Sequence, residues 1–430
     1  MRRGVPEEED DDANPPGAVS SIELRDGEAV AALTRSSTAD HTVFWHAGSV
    51  LALPETGRPE RYTRDLRAED FSGGLTMPIA AHVHRDPALG ARILFGHEYL
   101  GEGEAANEGA GEGAGAGEGA GAGAARPGSG RHDAVTLRIG EWDGTGSLWR
   151  HASLELDRAT WQHDLGVSAT RWIVIESPTV LSPTLEHHGV PVPYRWAPGQ
   201  PTWVAVLRRD SDGSTPAWFE LDPCTVTHVL NAHDDADGGV VLHVCRYPAP
   251  DEELASTTAS VLDPAGIGLC PIGGGLGQLE RWRIPGETPS GARARVQRDL
   301  VDDRFVEYPR TDPRCETSAF RYGYAVEIGW NAEPVGLVRV DVARDETRSW
   351  SPGPGRTASE PLFVRAADGQ SDDEGWLLTL VSDPERDGTD LYVLDASSFS
   401  SRSRPQAVVH LPIAIPFGGH GEWVPADQYR

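Results

Sequence analysis

The chain has 430 residues and a formal net charge of −28, and all of its basic residues are arginine because no lysine occurs. Such an acidic surface repels phosphate backbones and anionic headgroups, which argues against nucleic-acid binding and against a polybasic membrane anchor. No run approaches 18 consecutive apolar residues, so no membrane-spanning helix is predicted. The N-terminus lacks the apolar core of a signal peptide, and we expect a cytoplasmic protein.

Two segments have compositions that disfavour a packed fold. Residues 1–17 form an acidic, proline-containing head for which we predict disorder. Residues 101–130 are almost wholly Gly, Ala and Glu, and such a tract buries too little apolar surface to offset the entropy of ordering it. We therefore predict a single domain over residues 18–430 with a flexible insertion at 101–130.

The remaining chain is a series of short runs with alternating apolar residues. Examples in chain order are RWIVIES, TWVAVLRR, AWFELD, VVLHVCRY and GWLLTLVSD. Asp-Gly turns flank many of them, as at Asp143-Gly144, Asp212-Gly213 and Asp237-Gly238. Period-2 runs separated by such turns predict an all-β protein of antiparallel sheets, and a chain of this size favours a β-propeller over a sandwich.

Four of the fifteen histidines share a setting at or beside strand-like runs: His82, His163, His228 and His420. The last stands in a Gly-Gly-His-Gly turn, on backbone that glycine adopts most easily. The inner strands of a propeller converge on one axis, so residues far apart in sequence meet there. Four imidazoles so placed would suit Fe(II), zinc or copper, although the spacing alone supports such a site only weakly, and solvated or core histidines are the plainer reading. His84, two residues after His82, falls on the opposite strand face and is predicted to stay outside the cluster.

A resemblance adds to this reading. The stretches AAHVHRDPALGARILFGHEY, WQHDLGVSATRWIVIE, FELDPCTVTHVLNAHDD, VEYPRTDPRCETSAFRYGYA and HLPIAIPFGGHGEWVP resemble those of the carotenoid cleavage oxygenase family. That family includes apocarotenoid oxygenases, lignostilbene dioxygenases and the retinoid isomerohydrolase. The matching segments run in the family's order over roughly residues 20–428.

The resemblance implies a seven-bladed propeller with an axial Fe(II) held by His82, His163, His228 and His420. It also implies that carboxylates at Glu55, Glu307 and Glu360 support three of these ligands. The physical reason is general: a carboxylate that accepts the remote N–H of an imidazole fixes its tautomer and orientation and makes it a better metal ligand. No nucleophile triad or paired-carboxylate arrangement stands out, and this chemistry needs none, because the metal and dioxygen supply it.

The implied activity is Fe(II)-dependent cleavage of one C=C bond of a carotenoid-like or apocarotenoid-like substrate by O2 into two carbonyl products. The expected partners are this apolar conjugated molecule and O2, for a chain expected to be a monomer, with peripheral membrane contact left open. A lignostilbene-type substrate is the alternative, although some stilbene-cleaving relatives use a lysine that this chain lacks.

One departure from the family concerns the N-terminal region. The glycine-rich segments that precede SIELRDGEA in the family are absent, so about one blade of β-structure is expected to be missing. Unpaired strand edges would then put ring closure in doubt. A degenerate propeller that binds metal or ligand without turnover is therefore the alternative from a different functional class.

Overall fold

The structure, a computed structural model, describes residues 17–25, 28–37, 41–69, 79–99, 135–143, 148–182, 194–250, 276–286, 295–415, 417–426 and 428. The tract 101–130 and residues 1–16 of the acidic head lie outside this range, so the predictions made for them stay predictions. All regular elements in the described ranges are β-strands, which confirms the all-β prediction. No helix in this part of the chain is long and apolar enough to cross a membrane.

Four antiparallel sheets have four strands each, numbered in chain order. The first contains β3 (Thr42–His46), β4 (Ser49–Leu53), β6 (Glu60–Tyr62) and β7 (Ala68–Glu69). The second contains β9 (His84–Asp86), β10 (Ala91–Tyr99), β11 (Val135–Trp142) and β12 (Leu148–Leu156). The third contains β13 (Gly166–Val167), β14 (Arg171–Glu176), β17 (Thr202–Arg208) and β18 (Ala217–Leu221). The fourth contains β26 (Leu362–Arg365), β27 (Gly375–Asp383), β28 (Gly388–Asp395) and β29 (Ala407–His410).

A longer sheet and three strand pairs complete the described architecture. The seven-stranded sheet contains β19 (Cys224–Asp234), β20 (Val240–Pro248), β21 (Gln278–Ile284), β22 (Gln297–Thr311), β23 (Tyr322–Ile328), β24 (Pro334–Asp341) and β25 (Glu346–Trp350). The pairs are β1 (Gly17–Arg25) with β2 (Glu28–Ser37), β5 (Thr56–Gly57) with β8 (Ile79–Ala80), and β15 (Thr179–Leu181) with β16 (Tyr194–Trp196). Successive four-stranded sheets give a propeller-like arrangement, while the number of seven blades stays a prediction.

Neighbouring sheets pack face to face, and the alternation within single strands explains how. In β14 the side chain of Trp172 packs in a cluster with Leu137 of the second sheet. Its neighbour Ile173 points the other way and packs in a separate cluster with Leu242 of the seven-stranded sheet. Both are fully buried. Because each such side chain contributes roughly 1.5–3 kcal/mol when buried, packing on both faces of the sheet stabilises the fold.

The C-terminal segment lies alongside the first strand of the first sheet. His420 N donates to His41 O at 2.8 Å, and Val43 N donates to His420 O at 3.3 Å. Thr42 and His420 form a parallel bridge next to these bonds. The backbone of one candidate metal ligand is thereby fixed by chain that is almost 380 residues away in sequence.

A buried ion cluster joins the second and third sheets. Arg209 follows β17, is only 2% exposed, and contacts carboxylate oxygens of Asp86 and Glu141 at 2.7 Å. Its guanidinium also donates to Ser168 O at 2.9 Å. Both carboxylates are buried, and Arg209 is the cation that they share, while Arg150 Nη1 lies 3.3 Å from Glu141 as a second cation.

We expect Arg209→Met to lower the free energy of unfolding by about 3–5 kcal/mol, because buried Asp86 loses this cation and buried Glu141 keeps only the contact with Arg150. The matched control is Arg208→Met, since Arg208 is exposed and pairs with the exposed Asp210. That control should stay within about 0.5 kcal/mol of the parent chain. Denaturant unfolding measures both, and equal losses in the two variants would contradict the stabilising role of the cluster.

Candidate metal centre

The structure brings together the four histidines that the sequence singles out. His82 follows β8, His163 precedes β13, His228 lies in β19, and His420 lies in the C-terminal segment. Ring centroids are 4.6 Å apart for His82 and His163, 4.5 Å for His82 and His420, and 5.1 Å for His228 and His420. Side-chain nitrogens of His82, His228 and His420 all lie within 4.8 Å of one another.

Local backbone irregularities place two of these rings. In β19 the pairing with β20 shifts register on both sides of His228, between Val226 and His228 and between Val229 and Asn231. Such bulges re-aim a side chain out of the regular alternation. Before His420, Gly418 and Gly419 have φ values of +133° and +65°, which L side chains rarely adopt. The glycine run thus has a specific purpose: it turns the chain so that His420 points inward.

Three of the rings are held at Nδ1 by a carboxylate. The pairs are His163 with Glu55 at 2.8 Å, His420 with Glu360 at 2.7 Å, and His228 with Glu307. When Nδ1–H donates to a carboxylate, the lone pair of Nε2 is left available. The Nε2 atoms do face one another, at 3.0 Å between His82 and His163 and 3.2 Å between His228 and His420.

The electrostatics keep two of the imidazoles uncharged. Burial, together with the facing rings of His420, His163 and His228, holds the pKa of His82 well below its usual range. Burial also lowers the pKa of His420 to about 4, against the opposing influence of Glu360. A neutral imidazole is the form that binds a metal ion.

The supporting carboxylates are ionised, and Glu307 raises the pKa of the histidine that it holds, His228. Burial opposes ionisation of Glu360, but Arg310 and His420 bring its pKa to about 2. Burial likewise opposes ionisation of Glu55, but His163 brings its pKa to about 2. Burial lowers the pKa of His228, yet Glu307 outweighs it and the pKa is raised. A cation at this centre would therefore compete with a proton at His228.

The spacing of the donor atoms fits a metal ion. Two nitrogen ligands at right angles around an ion at about 2.1 Å lie about 3.0 Å apart. The two measured Nε2–Nε2 separations, 3.0 and 3.2 Å, match that value. An all-imidazole set with open positions suits Fe(II), zinc or copper.

A further layer of donors holds the three carboxylates, and sequence reasoning missed it. Trp161 Nε1 donates to Glu55, and the Trp161 ring lies 4.7 Å from that of His163. The other donors are Thr227 and Tyr247 on Glu307, at 2.6 and 2.5 Å, and Arg310 on Glu360, at 2.6 Å. Closeness in sequence could have identified three of these donors, because each lies within three residues of a predicted site residue: Trp161, Thr227 and Arg310. Nothing in the sequence pointed to Tyr247.

A cavity of about 120 Å³ adjoins the cluster and is lined by His82, His228 and His420. Apolar side chains such as Phe44, Leu230 and Phe363 line it together with charged ones. His84 also faces this cavity but does not join the four rings, because its Nε2 bonds to Asp164 Oδ1 at 2.6 Å. All seven residues predicted for the site are thus close together, and their role as a metal centre stays a prediction.

The chain is similar to known proteins in its family, its sequence and its fold. The family model described as retinal pigment epithelial membrane protein matches residues 8–425. A carotenoid cleavage oxygenase of Mycobacterium tuberculosis is 27% identical over 423 residues, covering 89% of this chain and 76% of that protein. Resveratrol cleavage oxygenase 1 of Aspergillus fumigatus is 24% identical, covering 90% of this chain and 74% of that protein.

Among solved structures, cobalt-substituted ACO of Synechocystis, an apocarotenoid oxygenase, superposes with a TM-score of 0.68. The two sequences are 22% identical, and the match covers 90% of this chain and 75% of that one. This likeness shows a shared fold.

Proposed function

The chain belongs to the retinal pigment epithelial membrane protein family, whose relatives include carotenoid cleavage oxygenases, and from this premise we propose that it is a non-haem Fe(II) dioxygenase. It splits one C=C bond of a carotenoid-like or apocarotenoid-like substrate with O2 and releases two carbonyl products. The observation that carries the proposal is the set of His82, His228 and His420, whose nitrogens lie within 4.8 Å of one another, with His163 Nε2 3.0 Å from that of His82. Three of the four rings are bonded to buried carboxylates.

His82, His163, His228 and His420 would hold the iron, and Glu55, Glu307 and Glu360 would fix three of these rings. Bound iron would supply the activation of dioxygen that no side chain provides. Burial and the crowded rings lower the pKa of His82 and His420 and so favour their neutral, metal-binding form, whereas at His228 the metal would compete with a proton. The supporting carboxylates each accept at least two further hydrogen bonds or ion pairs, so the ring orientations are over-determined.

The adjoining cavity would place the double bond. Phe44, Leu230, Leu362 and Phe363 offer apolar surface to a conjugated chain, and the buried setting limits access of water. Holding the reacting bond beside the four histidines turns an encounter between two molecules into a reaction within one complex. The protein therefore contributes to catalysis by positioning the double bond and by excluding water.

The test is anaerobic loading of the full chain with Fe(II), followed by addition of O2 and analysis of products from apocarotenals and from stilbenes. We expect two carbonyl products from an apocarotenal, formed only when iron is present. Product that forms equally well in metal-free protein would contradict the proposal. Iron binding without cleavage of any conjugated alkene would favour the non-catalytic alternative.

A stilbene-type substrate is the second candidate, and one relative favours it. Resveratrol cleavage oxygenase 1 covers as much of this chain as the carotenoid-cleaving relative does. The polar part of the cavity lining, including His84 and Arg310, would also accommodate phenolic oxygens. Cleavage of stilbenes but of no apocarotenal in the same assay would select this candidate.

A further inference from the structure

A second cavity lies beside the first and shares a wall with it. The inner cavity at the histidines measures about 120 Å³ and the outer cavity about 390 Å³. Five residues line both and thus form the wall: Arg85, Arg92, Pro313, Glu422 and Trp423. An extended substrate that reaches the histidines through this wall would have one end in each cavity.

The charged part of the wall is an arginine pair with one carboxylate between them. Arg85 of β9 and Arg92 of β10 are directly opposite each other in the antiparallel ladder. Like charges in such positions destabilise a sheet unless an anion separates them. Glu422 supplies that anion: its Oε1 accepts from Arg92 Nη2 at 2.7 Å and from Arg85 Nη2, while its Oε2 accepts from Trp45 N at 2.6 Å.

In this arrangement both arginines bind a carboxylate, that of Glu422. Guanidinium groups match carboxylates in shape and charge, and charge-assisted contacts of this kind are stronger than neutral hydrogen bonds. Two cations share the single carboxylate of Glu422, so the local group of three keeps one positive charge. Arg85 is also the more accessible of the two arginines, with 31% of its side chain exposed against 9% for Arg92.

The two cavities differ in charge on either side of the wall. The outer cavity adds Arg314, which is itself bound to Asp312 Oδ1 at 3.0 Å, and its other carboxylate, Asp86, is paired with Arg209 at 2.7 Å. The inner cavity adds three carboxylates, Asp164, Glu316 and Glu360, and one arginine, Arg310, and Glu316 Oε2 accepts from Arg85 N at 2.7 Å. Among the side chains of the two linings, the surplus positive charge is therefore that of Arg85 and Arg92, and the carboxylates outnumber the further arginines on the inner side. The net charge of −28 does not reverse this, because salt screens charges beyond about 8 Å at physiological ionic strength.

The outer cavity also offers flat apolar surface, since Trp45 and Trp423 line it. Aromatic side chains pack well against a conjugated chain. The outer cavity therefore combines the two features that a conjugated molecule with an acidic end requires.

We propose that the substrate carries a carboxylate at one end, which binds in the outer cavity to Arg85 and Arg92 while the double bond lies beside the four histidines. This inference rests on the proposed function and narrows it to conjugated alkene acids. Arg85 is then a residue that determines substrate specificity, and it takes no part in holding the metal.

The experiment compares an apocarotenoic acid with its methyl ester, which has the same conjugated chain and no charge. Dissociation constants are measured by quenching of tryptophan fluorescence in the zinc-loaded full chain, where no turnover occurs, and KM is measured in the iron-loaded chain. We expect the acid to bind about tenfold or more tightly than the ester. Arg85→Met should weaken binding of the acid by a similar factor and should change the dissociation constant of the ester by no more than about twofold. Arg85→Lys keeps the positive charge but loses the planar guanidinium, so its affinity for the acid should lie between those of the parent chain and Arg85→Met.

Arg208→Met is the matched control, because Arg208 is exposed and bound to Asp210 away from both cavities. It should change neither affinity. Equal affinities of acid and ester for the parent chain, or equal losses for both in Arg85→Met, would overturn the inference. If neither compound is cleaved while the acid preference persists, the proposed reaction fails and the carboxylate site stands.

Discussion

Replacing His228 by alanine should abolish cleavage and reduce metal affinity more than replacement of any of the supporting carboxylates. The variant loses one of four nitrogen ligands and leaves Glu307 buried without the histidine that it orients. The loss of affinity should exceed the roughly 10–100-fold that removal of a supporting carboxylate costs. Titration of the metal-free chain with Co(II), followed by its absorption spectrum, measures affinity independently of turnover.

The control for this variant is His151→Ala, because His151 lies in β12 with an exposed side chain. It should bind metal and cleave substrate like the parent chain. If His228→Ala retains one metal per chain and turns over normally, His228 is not a ligand and the proposed centre is wrong.

Glu307→Gln should lower metal affinity by about 10–100-fold. Glu307 accepts from His228, from Thr227 Oγ1 at 2.6 Å, from Tyr247 OH at 2.5 Å and from Tyr308 N at 3.2 Å. A neutral amide of the same shape keeps the packing but removes the negative charge that makes His228 a better ligand. Calorimetric titration with zinc gives the affinity, and unfolding measured alongside separates it from loss of stability.

Glu155→Gln is the matched control, since Glu155 is an exposed residue of β12. Its zinc affinity should equal that of the parent chain. An unchanged affinity in Glu307→Gln would mean that the carboxylate holds the fold and has no influence on the metal.

The alternating runs and Asp-Gly turns predicted an all-β chain correctly because the strand period of two is a local property. The turn before His420 could be predicted for the same reason, since the positive φ at Gly419 favours glycine at that position. The grouping of the four histidines was not local. Their spacing carried no information, and only the resemblance of whole segments singled them out together with the three carboxylates.

The supporting donors could not be predicted for a physical reason. The bond from Trp161 to Glu55 joins residues 106 positions apart, and that from Tyr247 to Glu307 joins residues 60 apart. Register shifts add to the difficulty: the irregularity between Glu307 and Arg310 changes which face of β22 each side chain occupies. A regular alternation would not have placed both of these charged residues at the same centre.

The arginine pair of the wall has a similar explanation. Arg85 and Arg92 are seven residues apart in sequence, and only the hairpin register of β9 and β10 sets them opposite each other. Glu422 reaches them from the other end of the chain, beside the segment that carries His420. Sequence patterns within one segment cannot reveal such a contact.

X-ray absorption at the iron edge of the anaerobically loaded chain counts the atoms bound to the metal and so tests directly whether the four histidines hold it. We expect one iron per chain with four imidazole nitrogens bound to it, and fewer imidazole nitrogens in His228→Ala. A coordination sphere dominated by carboxylate oxygens, or one that is identical in the parent chain and in His228→Ala, would contradict it.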